Sequence, residues 1–233
     1  MNEIDRLSEA RTRVLDRIAD ACLQARRDCS TVTLVAVTKT VPAERLVAAV
    51  AAGLTTLGEN RVQEGEQKAP LVPGATWHLI GPLQSNKAKR ALATFAMIES
   101  VDSIELAERL DRLAAEVRPN ELVPVLVQVN VDADPAKAGL APDDLERGLE
   151  RIDACLRLDV RGLMTVGRLV ADPEAARPTF VALRRLSDRL RLRWSGLGPE
   201  LSMGMSDDYP IAVEEGATIV RVGRALFGER PHP

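Results

Sequence analysis

Leu34-Val35-Ala36-Val37-Thr38-Lys39-Thr40 is the stretch on which the reading of this chain turns. A short apolar run rich in β-branched residues predicts a buried strand. It ends at a lysine, and Val41-Pro42 then breaks the strand and opens the next element. An ammonium is strongly hydrated, so burying one without a partner is costly. If the strand belongs to a parallel α/β sheet or barrel, its C-terminal end faces the usual active-site rim. Lys39 then has two readings. It is a surface lysine reaching off a strand end into water, or a Schiff-base lysine in a drier pocket that carries a carbonyl compound.

Working outward, residues 3–28 predict one amphipathic helix, with Ile4, Leu7, Val14, Leu15, Ile18, Cys22 and Leu23 at helical spacing. Within residues 1–30 this is an N-terminal addition packed on the rest. After the lysine, Pro42 and Glu44 open a helix that Gly53 caps. Further strands are predicted at Leu54–Leu57 (ending in Gly58-Glu59-Asn60), Trp77–Ile80, Phe95–Val101, Leu122–Val131, Leu158–Val166, Glu200–Met203 and Thr218–Val222. Helices fall between them. Ser85 is a candidate cap for the basic helix of Lys87, Lys89 and Arg90, and Asp102 with Glu105 makes a capping-box-like start. Asp172-Pro173-Glu174 starts a helix whose apolar face is Phe180, Leu183, Leu186 and Leu190. The last helix is predicted from about Asp207 to Glu215, closed by Gly216. About eight strand–helix alternations predict an α/β fold, a single (β/α)8 barrel over 1–233 with an extra N-terminal helix. The competing architecture is an open doubly wound sheet, whose Gly-x-Gly-x-x-Gly fingerprint is absent after the first strand.

Composition narrows the function classes. At 45% hydrophobic, the 233 residues can form a substantial core. A net charge of -3 and 3% aromatics argue against a general nucleic-acid or anionic-membrane binder and against base stacking. Three cysteines with no C-x-x-C pair, and no N-terminal apolar segment, point to a reducing cytoplasm. Only His78 and His232 are histidines, which argues against a histidine-based metal site.

Chemistry in a parallel barrel belongs after the strands. Asn60 follows the second strand and is either a ligand-binding amide or a turn former and cap. Ser202-Met203-Gly204-Met205-Ser206 follows the seventh. Its glycine allows backbone N–H groups to approach an anion and its serines add donors, although Ser206 also reads as a helix cap. Arg221-Val222-Gly223 ends the eighth strand, where barrels commonly bind phosphate. Arg221 serves a phosphate or a ring nitrogen, or else pairs outward with a helix carboxylate. An amine after strand one and an anion cradle after strands seven and eight together fit pyridoxal 5′-phosphate (PLP).

The chain also resembles the YggS/PROSC family of pyridoxal phosphate homeostasis proteins. The likeness is carried by Ala36–Lys39, Gly58–Glu64, Trp77–Lys87, Arg161–Met164, Leu201–Asp208 and Val220–Gly223 followed by Ala225–Gly228. The family in turn resembles the barrel domain of bacterial alanine racemase. The resemblance implies that PLP is bound covalently to Lys39 as a Schiff base and that Arg221 lies at the pyridine nitrogen. It implies that Ser206, Gly223 and the Ser202-Met203-Gly204 turn help hold the phosphate, and that Asn60 lines the site. Two departures are mild: Thr38 stands where serine is frequent, and Asp134 where a glutamate is expected before Lys137-x-Gly139.

The implied role is a non-catalytic PLP carrier in vitamin B6 homeostasis, with PLP-dependent apoenzymes as partners, no nucleic acid or membrane, and a monomeric or weakly dimeric state. The alternatives are a PLP-dependent amino-acid racemase and a Schiff-base aldolase. Alanine racemases take a second acid/base, a tyrosine, from another domain. This chain ends soon after the eighth strand, and its single tyrosine is Tyr209.

Overall fold

Eight parallel strands close into a barrel in chain order in the computed structural model, which describes residues 2–168 and 170–228. They are β1 Thr33–Val37, β2 Thr56–Glu59, β3 Thr76–Leu79, β4 Met97–Val101, β5 Val123–Gln128, β6 Leu158–Met164, β7 Glu200–Ser202 and β8 Ile219–Val222. The helices are α1 Glu3–Gln24, α2 Ala43–Ala51, α3 Val62–Lys68, α4 Ala88–Thr94, α5 Ile104–Val117, α6 Pro142–Asp153, α7 Arg177–Arg191, α8 Tyr209–Glu214 and the short α9 Arg224–Phe227. The (β/α)8 barrel is as expected. Arg230–Pro233, with His232, lies outside the described residues. Among the described residues, no helix is long and apolar enough to cross a membrane.

Strand periodicity sorts the side chains into two cores. Val35, Ile80, Met97, Leu126, Met164 and Ile219 meet inside the barrel. Alternate residues such as Ala36, Leu57, Ile98, Val125, Leu163 and Val220 join the outer core under the helices. The predicted face of α7 is there too, with Phe180, Leu183, Leu186 and Leu190 buried.

Most strands are shorter than predicted, while β2 and β3 keep the predicted length and are shifted. The apolar runs continue into loops that stay buried while leaving the ladder: β1 ends at Val37, two residues before Lys39, and β5 stops at Gln128 rather than Val131. β2 is displaced toward Gly58-Glu59, which pair in it with His78 and Leu79. α1 ends at Gln24 rather than residue 28, because Arg26 turns the chain at φ 52 and Asp28 caps a separate short turn. Its buried stripe is Leu7, Ala10, Val14, Ile18, Ala21 and Cys22, whereas Ile4 and Leu23 face outward at 41% and 78% exposure. Small alanines let the helix approach closely, so these two large residues are not needed. A capping box between Asn2 and Asp5 starts it, and it packs against α2, α8 and α9.

Two predicted caps are corrected. Ser103 rather than Asp102 accepts the Leu106 N–H at the start of α5, at 3.3 Å. Ser85 begins a short 3-10 turn without a side-chain cap, and its carbonyl accepts from Arg109 Nε at 2.7 Å. α8 starts at Tyr209, two residues after the predicted Asp207.

Gly81 is where the loops after β2 and β3 touch. A Cβ built on it would lie 2.4 Å from the Asn60 carbonyl oxygen, a backbone atom that cannot rotate away. At Gly167 the nearest atoms to such a Cβ are side-chain carbons 3.7 and 4.0 Å off. Gly81→Ala should therefore cost ~2 kcal/mol, roughly 4–8 °C in Tm, while Gly167→Ala stays within ~1 kcal/mol of wild type. Thermal unfolding of the two variants checks this; equal Tm values would contradict it.

Candidate functional site

The barrel register decides which predicted residues face the mouth. Val35 pairs with Arg221 and Val37 with Gly58. Residues in register on parallel strands point to the same side, so Arg221 joins Val35 inside the barrel. Continuing by twos, Lys39, Asn60, Gly204 and Gly223 follow inward-facing Val37, Gly58, Ser202 and Arg221 at the C-terminal rim. Met203 has the opposite parity. It is fully buried in the outer core, so its side chain is turned away from the mouth.

Lys39 and Gly223 line one depression of about 140 Å³, with Thr40, Pro42, Arg45 and Arg224 around them. Lys39 is half-buried. Its turn is closed by the Val41 N–H donating to the Thr38 carbonyl at 3.0 Å, and Thr40 sits at φ 68. A β-branched residue in the left-handed region is strained by about 1–3 kcal/mol, which the surroundings must offset. They do so from the outer side of the strand. Thr38 Oγ1 donates to Glu59 Oε1 at 2.7 Å, and Lys68 of α3 donates to the Thr38 carbonyl at 2.9 Å and to the same Glu59 oxygen. Lys68 and fully buried Glu59 thus clamp the backbone next to Lys39.

Below the rim lies a polar layer. Arg221 is only 4% exposed. Its guanidinium donates to Ser202 Oγ and, at 2.7 Å, to the Thr165 carbonyl. Ser202 Oγ donates in turn to Glu99 Oε2 at 2.6 Å, and Glu99 Oε1 shares a 2.7 Å hydrogen bond with His78 Nδ1. Burial pushes the Glu99 carboxyl up, but hydrogen bonds from His78 and Ser202 and the charge of Arg221 outweigh it, and the net shift is downward. Burial lowers the Arg221 pKa, opposed by Glu99 and Asp208. The outcome is a guanidinium fixed in orientation with donors left for the mouth. Ser202 is committed to this layer, so its hydroxyl is an orienter of Arg221.

The loops after β7 and β8 are tied together. Gly223 N–H donates to Ser206 Oγ at 3.2 Å, and Arg221 N–H to the Gly204 carbonyl at 3.0 Å. Ser206 does not cap α8. Gly204 sits at φ 91, and a Cβ there would lie 2.5 Å from Ala212 Cβ, so only glycine lets the loop rest on α8. Tyr209 is fully buried on the outer side, with the Arg17 guanidinium of α1 5.2 Å from its ring centroid. Asn60 lines a different depression from Lys39.

Glu99 and His78 had no part in the predicted site. The signal was present: a carboxylate at the centre of the apolar strand Met97-Ile98-Glu99-Ser100-Val101 needs a buried partner.

The residues present fit PLP by their chemistry: an amine in the wall of a small cavity, a hydroxyl and glycine-rich backbone where an anion would sit, and an oriented guanidinium below them. Comparison with known proteins agrees. Residues 14–231 match the family described as alanine racemase, N-terminal domain. The pyridoxal phosphate homeostasis protein of Aquifex aeolicus is 40% identical over the whole of both chains. That of Pseudomonas aeruginosa is 43% identical over 97% of this chain and 96% of its own. The structure of PipY from Synechococcus elongatus with PLP bound is 41% identical and superposes with a TM-score of 0.80, covering 92% of this chain and all of that one. The chain belongs to the family of pyridoxal phosphate homeostasis proteins, built on the alanine racemase N-terminal-domain barrel.

Proposed function

We propose that the protein holds PLP covalently through the Lys39 amine and works in PLP homeostasis without efficient turnover. The observation that carries this reading is the barrel register, which sets Lys39 and Gly223 in one cavity with Arg221 directly below. The relatives' names and PLP-bound PipY support it. When bound, PLP supplies a conjugated electron sink to whatever amine is joined to it.

Each residue then has a task. Lys39 supplies the nucleophilic amine, and its strained turn, clamped by Lys68 and Glu59, limits where that amine can go. Ser206 Oγ, which accepts the Gly223 N–H, keeps its own O–H to donate to the phosphate dianion, and Gly223 lets the backbone come close to it. Arg221 would face the ring nitrogen of a bound PLP. A guanidinium gives up a proton far less readily than a carboxylic acid, so it leaves that nitrogen unprotonated and weakens the electron sink. Tyr209, the single tyrosine, is buried against α1 rather than at the mouth, which removes it as a second acid/base on this chain. Both features favour holding the coenzyme over driving a reaction on it. The same reading places the protein in a reducing cytoplasm, where the free thiols Cys22, Cys29 and Cys155 persist, and makes PLP-dependent apoenzymes its recipients.

Three outcomes check this reading. Protein loaded with PLP and dialysed should keep visible absorbance, and Lys39→Ala should lose it; a wild-type protein that never takes up the colour contradicts the assignment. Arg221→Gln, with folding verified by circular dichroism, should move the absorption band and weaken PLP retention about tenfold, the size of one lost charged hydrogen bond; an unchanged spectrum argues against the contact. Loaded protein given L-alanine should show no steady formation of D-alanine. Sustained racemisation abolished by Lys39→Ala would make it an enzyme.

A further inference from the structure

The wall of the Lys39 depression includes an arginine that has no task so far. Arg45, in the first turn of α2, lines it beside Lys39, Gly223 and Arg224. Two other helices hold Arg45 in place. Its Nε donates to Glu3 Oε1 of α1 at 2.6 Å. Its guanidinium carbon lies 5.6 Å from the ring centroid of Phe227 in α9, within cation–π range. The Phe227 N–H in turn donates to the Gly223 carbonyl at 2.9 Å, so the platform under Arg45 and the backbone at Gly223 belong to one short element.

These contacts leave part of the guanidinium uncommitted. Among the described residues, the Nη groups of Arg45 donate no hydrogen bond, so they keep their donors for an acceptor that enters the depression. Arg224, the other arginine in the wall, forms an ion pair with Asp207. A guanidinium already restrained has less rotamer freedom to lose when it meets an anion. Arg45 shares its wall with Gly223, whose N–H donates to Ser206 Oγ at 3.2 Å, and that is the phosphate side of the site rather than the ring side.

We propose that Arg45 is a further phosphate-binding residue for the coenzyme, and that Glu3, by holding it, couples the start of the N-terminal helix to the same anion. The inference rests on the reading of the Lys39 depression as the PLP site. Glu3 and the phosphate are rivals for one guanidinium. Glu3 orients Arg45, but its own negative charge opposes a second anion beside it. Removing either partner breaks the same 2.6 Å contact, yet the two losses act in opposite directions on phosphate binding.

Pyridoxine 5′-phosphate, an alcohol that cannot form a Schiff base, tests this by calorimetric titration into the full chain without PLP. Pyridoxine is the phosphate-free control. The Arg45 side chain keeps 36% of its surface exposed, so its contact is a moderate one. Arg45→Gln should weaken binding of the phosphate ester roughly fivefold, and Arg45→Lys should lose less. Glu3→Gln should bind the ester at least as tightly as wild type, and pyridoxine should not distinguish the variants. Circular dichroism verifies folding; should Arg45→Gln be unfolded at the assay temperature, Glu3→Gln, which keeps the arginine, decides. Weakening by Glu3→Gln, which a merely structural ion pair would produce, overturns the proposal. So does ester binding by Arg45→Gln as tight as wild type, an equal loss for pyridoxine, or a wild-type protein that does not bind the ester. Absence of colour with PLP counts against the Lys39 attachment alone, because the ester titration requires no Schiff base.

Discussion

The site depends on the pairing that closes the barrel. Thr33, Leu34, Val35 and Ala36 of β1 lie in register with Ile219, Val220, Arg221 and Val222 of β8, the first strand against the last. Without that seam Lys39 and Gly223 would be at opposite ends of the chain, with neither a shared cavity nor a guanidinium beneath them. The pairing is also the most demanding in sequence separation, since nearly the whole chain is the loop it closes. Register is critical here. A slip by one residue would turn Arg221 into the outer core and Val220 into the mouth. α1, packed across α2, α8 and α9, covers the outside of this seam, which gives the N-terminal helix a structural purpose.

A buried arginine has to be matched, because an unpaired charge at that depth costs several kcal/mol. The chain Arg221–Ser202–Glu99–His78 provides the match across β8, β7, β4 and β3. Removing one member leaves the others with unsatisfied polar atoms, so the layer acts as a unit and fixes the guanidinium's direction. On the other side of β1, the Lys68–Glu59 pair performs the same service for the Lys39 turn. Both ends of the proposed coenzyme contact are therefore held by charged groups that do not themselves face the mouth.

Much of this was legible in the sequence. Apolar runs at regular spacing marked the eight strands, and the special residues after strands one, two, seven and eight marked the rim. Strand ends were overextended because burial outlasts hydrogen bonding: Thr38 and Val129 are buried but lie past the ends of β1 and β5. Met203 and Ser202 could not be told apart until register gave them opposite faces. Glu99 and His78 escaped because their role exists only across strands, where local spacing carries no information. The helix ends at Gln24 and Ser103 were set by a positive-φ turn and a side-chain cap, choices in which neighbouring polar residues looked equivalent.

The central claim is that one particular amine, Lys39, carries the coenzyme. The most direct measurement is borohydride reduction of the PLP-loaded protein, followed by proteolysis and mass analysis of the labelled peptide. The account predicts a single phosphopyridoxyl label on Lys39, at close to one per chain. A label on Lys68, on Lys87 or spread over surface lysines, or no label on a protein that retains PLP, would contradict it.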